Sequence, residues 1–163
     1  MKNILEQQVE AIIDQKLPSI TNISNVLALL FYELPNINWA GLYLCNEKKQ
    51  ECILGPFQGK VACTRIPYKK GVVGTCADTK ESILVKNVHE FPGHIACDSA
   101  SQSEIVCPLQ HENTLYAILD IDSNKLNNFS PEDYNTVVNI SKVLSKLLYN
   151  DNEWIHSSIH SLD

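Results

Sequence analysis

The chain has 163 residues, of which 44% are hydrophobic and 20% are charged. This length suits one domain with a buried core, and this composition excludes a disordered chain. The formal net charge of −6 argues against a surface for nucleic acid or for an anionic membrane.

The first sixteen residues contain five charged side chains and lack the apolar core of a signal peptide. The longest uncharged stretch, 17–32, is interrupted by polar residues and is too short to span a membrane. We therefore expect a cytoplasmic protein. Because the cytosol is reducing, its six cysteines are not expected to form a permanent disulfide framework.

The cysteine spacing also argues against a zinc site. The cysteines stand at positions 45, 52, 63, 76, 97 and 107, and no two of them have the short C-x₂₋₄-C separation of structural zinc ligands. His94 and Cys97 form one H-x-x-C pair, but a single pair does not make a site. We expect neither a metal nor a cofactor.

Two amphipathic helices are predicted first, over 3–17 and 22–34, each followed by a proline. Short apolar runs bounded by turn residues then predict three strands. These strands lie at 38–45, 51–54 and 61–66. A short helix over 72–80 and a strand over 82–88 complete the first half of the chain.

The polar segment 89–103 follows, and it is long enough to form a functional lid. Strands are predicted at 104–110 and 114–121. The last helix begins at Ser130, which caps it ahead of Pro131 and two acids, and it ends near Tyr149. This order predicts an α+β fold with an antiparallel sheet of five to six strands and the terminal helices on one face.

Two clusters place a cysteine in a chemically suggestive context. The glycine- and proline-rich turn 54–63 leads to Cys63, and in the segment 93–98 Cys97 lies near His94 and Asp98. A free cysteine in a protein is more often a small buried hydrophobe than a nucleophile. The loop position of Cys97 favours the chemical role.

The third cluster consists of acids within apolar strands: Glu104, Asp120 and Asp122. Asp120 and Asp122 are two residues apart, so on a strand they point to the same face. On an inner face both carboxylates would need a cation or hydrogen-bond donors, whereas on an outer face they would simply be solvated. The sequence leaves both readings open.

Together these blocks resemble the free methionine-(R)-sulfoxide reductases, enzymes built on a single GAF domain. The blocks that follow the family's order are 38–43, 54–63, 93–98, 103–106 and 119–122. We therefore expect a GAF-type catalytic domain over 1–150. The polar tail 151–163 lies outside the resemblance and is expected to be partly disordered.

The resemblance implies an oxidoreductase that converts free L-methionine (R)-S-oxide to methionine, a repair of oxidative damage. Cys97 matches the nucleophile, which would become a sulfenic acid. Cys63 matches the resolving cysteine, which would form a disulfide with Cys97. Thioredoxin would then reduce this disulfide.

The same resemblance makes Glu104, Asp120 and Asp122 the pocket carboxylates, which would bind the substrate ammonium or protonate its sulfoxide oxygen. Trp39 would form an apolar wall of the pocket, although a purely structural core tryptophan explains it equally well. The family's apolar terminal helices also allow a homodimer.

The sequence departs from the family in one block, 71–76, where Val73 occupies the position of a further family cysteine. Cys76 lies three residues on, on the same side of a helix, and is a candidate extra thiol. Two readings from other classes remain as alternatives. One is a non-catalytic GAF module that binds a small ligand, and the other is a thiol redox sensor.

Overall fold

The computed structural model describes residues 1–94, 97 and 99–160. Three members of the predicted 93–98 cluster, Ile95, Ala96 and Asp98, lie outside the described residues, as do 161–163 of the tail.

An antiparallel sheet forms the centre of the described chain. Its strands have the spatial order β3-β2-β1-β6-β5-β4. Their bounds are β1 Ile37–Asn46, β2 Glu51–Gly59, β3 Arg65–Pro67, β4 Ile83–Val85, β5 Ser103–His111 and β6 Thr114–Ser123. The helices are α1 Ile4–Ile12, α2 Ser19–Glu33, α3 Gly71–Thr79, α4 Pro131–Asn150 and α5 Glu153–His160, with a 3₁₀ turn at Val88–Glu90.

The two faces of the sheet are buried against different elements because side chains alternate along each strand. On β1, Ala40 and Leu42 belong to the core formed with α1, α2, α4 and α5. Trp39 and Tyr43 point to the opposite face, where they belong to a second core formed with α3. The predicted α+β fold, with six strands and the terminal helices on one face, is confirmed; the layer formed by α3 is additional.

Two element boundaries differ from the sequence prediction. Helix α1 ends at Ile12, because the side chain of Asn22 accepts a hydrogen bond from Asp14 N and donates one to Asp14 O, both at 2.9 Å. The strand predicted over 61–66 is confined to Arg65–Pro67, and Val61 is largely exposed. Residues 60–64 therefore form a connection rather than a strand, and this connection contains Cys63.

The beginning of α4 follows the prediction closely. Ser130 and Asp133 form a reciprocal capping box, with Pro131 in the first turn. None of the helices in the described ranges is both long and apolar enough to cross a bilayer.

Helix α5 lies within the tail for which composition indicated partial disorder. Ile155 and Ile159 are buried against the terminal-helix core, and Trp154 Nε1 donates to Ser19 Oγ at 2.7 Å. Ser19 N also donates to the side chain of Asp151 at 2.6 Å. The segment has few apolar residues, but its buried isoleucines and its hydrogen bonds to Ser19 attach it to the rest of the domain.

Candidate active site

A pocket lies between the sheet and α3. The sheet contributes six lining side chains: Trp39, Tyr43, Ile66, Glu104, Asp120 and Asp122. The facing wall includes Lys70, Val72, Val73, His94, Cys97 and Ser101. The cavity has a volume of about 40 Å³, which is enough to hold water.

Cys97 on the pocket wall forms a disulfide with Cys63, and the two Cα atoms are 5.3 Å apart. Cys63 is held by the connection after β2, where Tyr43 Oη donates a hydrogen bond to Cys63 O at 3.1 Å. Both cysteines are partly exposed. The pair that the family resemblance implied is therefore joined in the structure, at a position that solvent reaches.

The segment that carries Cys97 is fixed at both ends. Val88 N donates to Gln102 O at 2.9 Å, and Gln102 N donates to Ser123 O at 2.7 Å. Asn38 Nδ2 also donates to Ser101 Oγ at 3.1 Å. These bonds hold the ends of the segment against the strands that carry the acids.

Strand register brings the three carboxyl groups together. Glu104 on β5 lies directly opposite Asp122 on β6, while Asp120 lies opposite Val106 on β5 and Gly41 on β1. One oxygen from each acid lies within 4.8 Å of the others. Glu104 and Asp120 are buried, so the acids occupy an inner face, which decides between the two readings that the sequence left open.

Burial and mutual repulsion change the ionisation of these acids. Burial, followed by the charge of Asp122, raises the pKa of Glu104 to about 8. Burial, followed by the charge of Glu104, raises the pKa of Asp120 well above its usual value. Asp120 Oδ1 is buried and lacks a hydrogen-bond partner among the described residues. The group can therefore supply a proton near neutral pH and accept a hydrogen bond from a cationic donor.

Carboxyl oxygens at this spacing also have the chemistry that binds hard divalent cations. A metal would have to displace the proton that the raised pKa of Glu104 retains near neutral pH. The arrangement suits a proton donor and an ammonium acceptor better than a metal centre.

Trp39 serves as both core residue and pocket wall. It is 2% exposed, stacks on Phe57 at a ring-centroid distance of 5.2 Å, and donates from Nε1 to Lys60 O at 3.1 Å. Gly41 allows this packing, because a Cβ there would lie 2.5 Å from both the Trp39 ring and Phe57 Cβ. The two interpretations of Trp39 are therefore compatible.

Cys76 lies behind the pocket rather than in it. Val73 lines the cavity, whereas Cys76 is absent from the described lining residues and is completely buried in the core between α3 and the sheet. Burial, followed by Cys107 and Cys52, raises the pKa of the Cys76 thiol.

Two residues that line the pocket, Tyr43 and Lys70, were not expected there from the sequence. Tyr43 could have been found from alternation, because it lies two positions after Asp120's neighbour Gly41 and on the same face as Trp39. Lys70 has no comparable sequence signal, since its place depends on how the turn before α3 crosses the sheet. His94, which the sequence placed near Cys97, also lines the pocket, and burial lowers its pKa.

Comparison with known proteins finds relatives in both sequence and structure. The family model for the GAF domain matches residues 17–148. The free methionine-R-sulfoxide reductase of Escherichia coli is 41% identical over 144 residues, which cover 88% of this chain and 86% of that protein.

Solved structures of similar proteins show the same fold. The reduced form of fRMsr from Staphylococcus aureus is 41% identical with a TM-score of 0.83, and the match covers 89% of this chain and 93% of that chain. The free methionine-R-sulfoxide reductase from Neisseria meningitidis, in complex with its substrate, is 34% identical with a TM-score of 0.80. That match covers 91% of this chain and 86% of the other.

Proposed function

Since the chain belongs to the free methionine-(R)-sulfoxide reductase family of GAF-domain enzymes, we propose that it reduces free L-methionine (R)-S-oxide to L-methionine. The observation that carries this proposal is the Cys63–Cys97 disulfide beside three clustered carboxyl groups. A binding module would not need this thiol pair, and a thiol sensor would not need the acids.

The cycle begins with Cys97. Its sulfur attacks the sulfoxide sulfur, the sulfoxide oxygen is transferred to Cys97 as a sulfenic acid, and methionine leaves. The Cys63 thiol then attacks the sulfenic sulfur, which forms the disulfide and releases water. A dithiol reductant of the thioredoxin type converts the disulfide back to two thiols and becomes oxidised itself.

The acids supply charge and protons to this cycle. Glu104, with its pKa raised to about 8, is mostly protonated at pH 7 and can donate a proton toward the sulfoxide oxygen. The remaining carboxylate charge attracts the ammonium group of the free amino acid, and the unpaired Asp120 Oδ1 is an acceptor for it. Methionine inside a polypeptide lacks this ammonium group, which explains selection of the free amino acid.

The disulfide sets the order of the cycle. While Cys97 is bonded to Cys63, it has no free thiol to attack the sulfoxide. Reduction of the disulfide therefore precedes the reaction with substrate.

The chain is also proposed to form a homodimer through its terminal helices. Two apolar side chains of α1 support this, because Ile4 is 75% exposed and Ile12 is 38% exposed. Sedimentation equilibrium measures the mass directly, and a monomer at high protein concentration would contradict the proposal.

The decisive test is thioredoxin-coupled NADPH oxidation with each epimer of free methionine sulfoxide. We expect turnover with the R epimer alone. Cys97→Ser should form no methionine, whereas Cys63→Ser should form one methionine per chain and stop. Cys76→Ala is the matched control and should retain steady turnover, because Cys76 lies behind the pocket.

The role of the acids is tested with N-acetylmethionine sulfoxide, which keeps the sulfoxide and lacks the ammonium group. Loss of a charge-assisted hydrogen bond costs about 1.5–3 kcal/mol, so kcat/KM should fall roughly 10- to 100-fold. Equal kcat/KM for the two compounds would contradict ammonium recognition. Absence of turnover with both free epimers would favour the binding module.

A further inference from the structure

A second pair of cysteines lies away from the pocket disulfide. Cys45 on β1 and Cys52 on β2 are directly opposite one another in the antiparallel register. Their Sγ atoms are 3.6 Å apart, and both thiols are free. Of the other two free cysteines, Cys76 lies on α3 and Cys107 lies on β5 opposite Leu119. Neither has a cysteine directly opposite it on a neighbouring strand within the described ranges.

We propose that Cys45 and Cys52 form a second, reversible disulfide when the protein meets a hydroperoxide. Directly opposite residues of antiparallel strands have Cα atoms about 4.5–5.5 Å apart. This range lies within the ~4.4–6.8 Å that disulfides span. The two sulfur atoms need to approach by about 1.6 Å to reach bonding distance, which side-chain rotation can supply without breaking the strand pairing.

The reaction balances with one peroxide per disulfide. Cys45 retains 5% exposure whereas Cys52 has none, so the oxidant reaches Cys45 first. The Cys45 sulfur attacks one peroxide oxygen, the O–O bond breaks, and the products are a Cys45 sulfenic acid and, for hydrogen peroxide, water. The Cys52 sulfur then attacks the sulfenic sulfur, forming the S–S bond and releasing a second water.

The surroundings keep this pair reduced until the oxidant is abundant. Burial raises the pKa of the Cys45 thiol well above its usual value, Cys52 raises it further, and Tyr68 acts in the opposite direction. Because the thiolate is the reactive form, Cys45 reacts slowly. The second disulfide therefore records sustained oxidation rather than a single catalytic turnover.

This bond would cross-link the strand pair that leads into the connection containing Cys63. It joins β1 to β2, and β2 continues to the Cys63 connection, where Leu54 N donates to Thr64 O at 3.0 Å. The proposal does not depend on the reductase activity, since it requires only the two thiols and a peroxide.

The test is disulfide mapping of the whole protein after exposure to excess hydrogen peroxide, alkylation under denaturing conditions and trypsin digestion. Lysines at positions 48 and 49 separate the two cysteines, so the bond links peptide 17–48 to peptide 50–60. We expect to find this linked peptide and to recover its two halves after treatment with dithiothreitol. Because Cys63 and Cys97 form their own disulfide, only two of the six cysteines, Cys76 and Cys107, should be alkylated.

Two variants complete the experiment. Cys52→Ala should lose the linked peptide, whereas Cys107→Ala should retain it. Four alkylated thiols in the oxidised wild-type protein would overturn the proposal. Recovery of Cys45 or Cys52 as sulfinic acid in unlinked peptides would overturn it equally. Mapping of the wild type keeps the test valid even if a variant folds poorly.

Discussion

Replacement of Glu104 by glutamine should change how stability depends on pH. The carboxyl of Glu104 has a pKa of about 8 in the folded protein and an ordinary value of 4.5. The folded state thus binds this proton more tightly than the unfolded state, and stability falls as pH rises from about 4.5 to 8. By linkage the loss is about 3 kcal/mol by pH 7 and approaches about 5 kcal/mol by pH 9.

The assay is urea denaturation of the oxidised protein at several pH values between 5 and 9. The free-energy difference between Glu104→Gln and wild type should shift in favour of the variant across this range, by several kcal/mol. Glu112, whose side chain is 84% exposed, provides a matched control. The difference between Glu112→Gln and wild type should change little, because the ion pair of this carboxyl with His111, at 3.7 Å, is exposed to solvent and therefore weak.

The prediction concerns how the free energy of unfolding changes with pH. Any pH-independent destabilisation by the glutamine amide therefore does not affect it. Asp120 titrates in the same cluster, and its raised pKa would leave a smaller pH dependence in the Glu104 variant. Parallel stability curves for wild type and Glu104→Gln from pH 5 to 9 would refute the reasoning that Glu104 is buried among like charges.

Two further substitutions test packing. Gly41→Ala should destabilise the protein by about 1–3 kcal/mol in urea denaturation, because the new Cβ would meet the Trp39 ring and Phe57 at 2.5 Å; unchanged stability would show that this strand region yields freely. Ile155→Ala should cost about 2–5 kcal/mol if α5 is part of the cooperative fold, whereas the exposed Ser157→Ala should stay within about 0.5 kcal/mol of wild type. Equal midpoints for these last two variants would show that α5 unfolds separately.

Local sequence signals were sufficient where local physics decides the structure. The apolar stripe of α2 and the Ser130–Pro131 start signal of α4 placed these helices within a few residues of the observed bounds. The end of α1 was misplaced because a tertiary contact, the pairing of Asn22 with Asp14, decides it. Helix α5 was missed because its stability depends on partners more than a hundred residues away.

The site shows the same division. Alternation established that Asp120 and Asp122 share a face, but which face is inner depends on the position of α3. Spacing placed Val73 and Cys76 on one side of a helix, yet the crossing of α3 over the sheet directs only Val73 into the pocket. The partnership of Cys63 and Cys97 came from family resemblance, since a separation of 34 residues contains no geometric information.

The Cys63–Cys97 bond should affect the stability of the protein as well as its chemistry. It closes a loop that spans 34 positions and contains β3, α3 and β4. A cross-link of this length lowers the conformational entropy of the unfolded chain, which raises the free energy of unfolding by about 4 kcal/mol. The oxidised protein should therefore resist unfolding more than the reduced protein does. Reduction of this bond, which the proposed cycle requires before each turnover, would then also lower the stability of the protein.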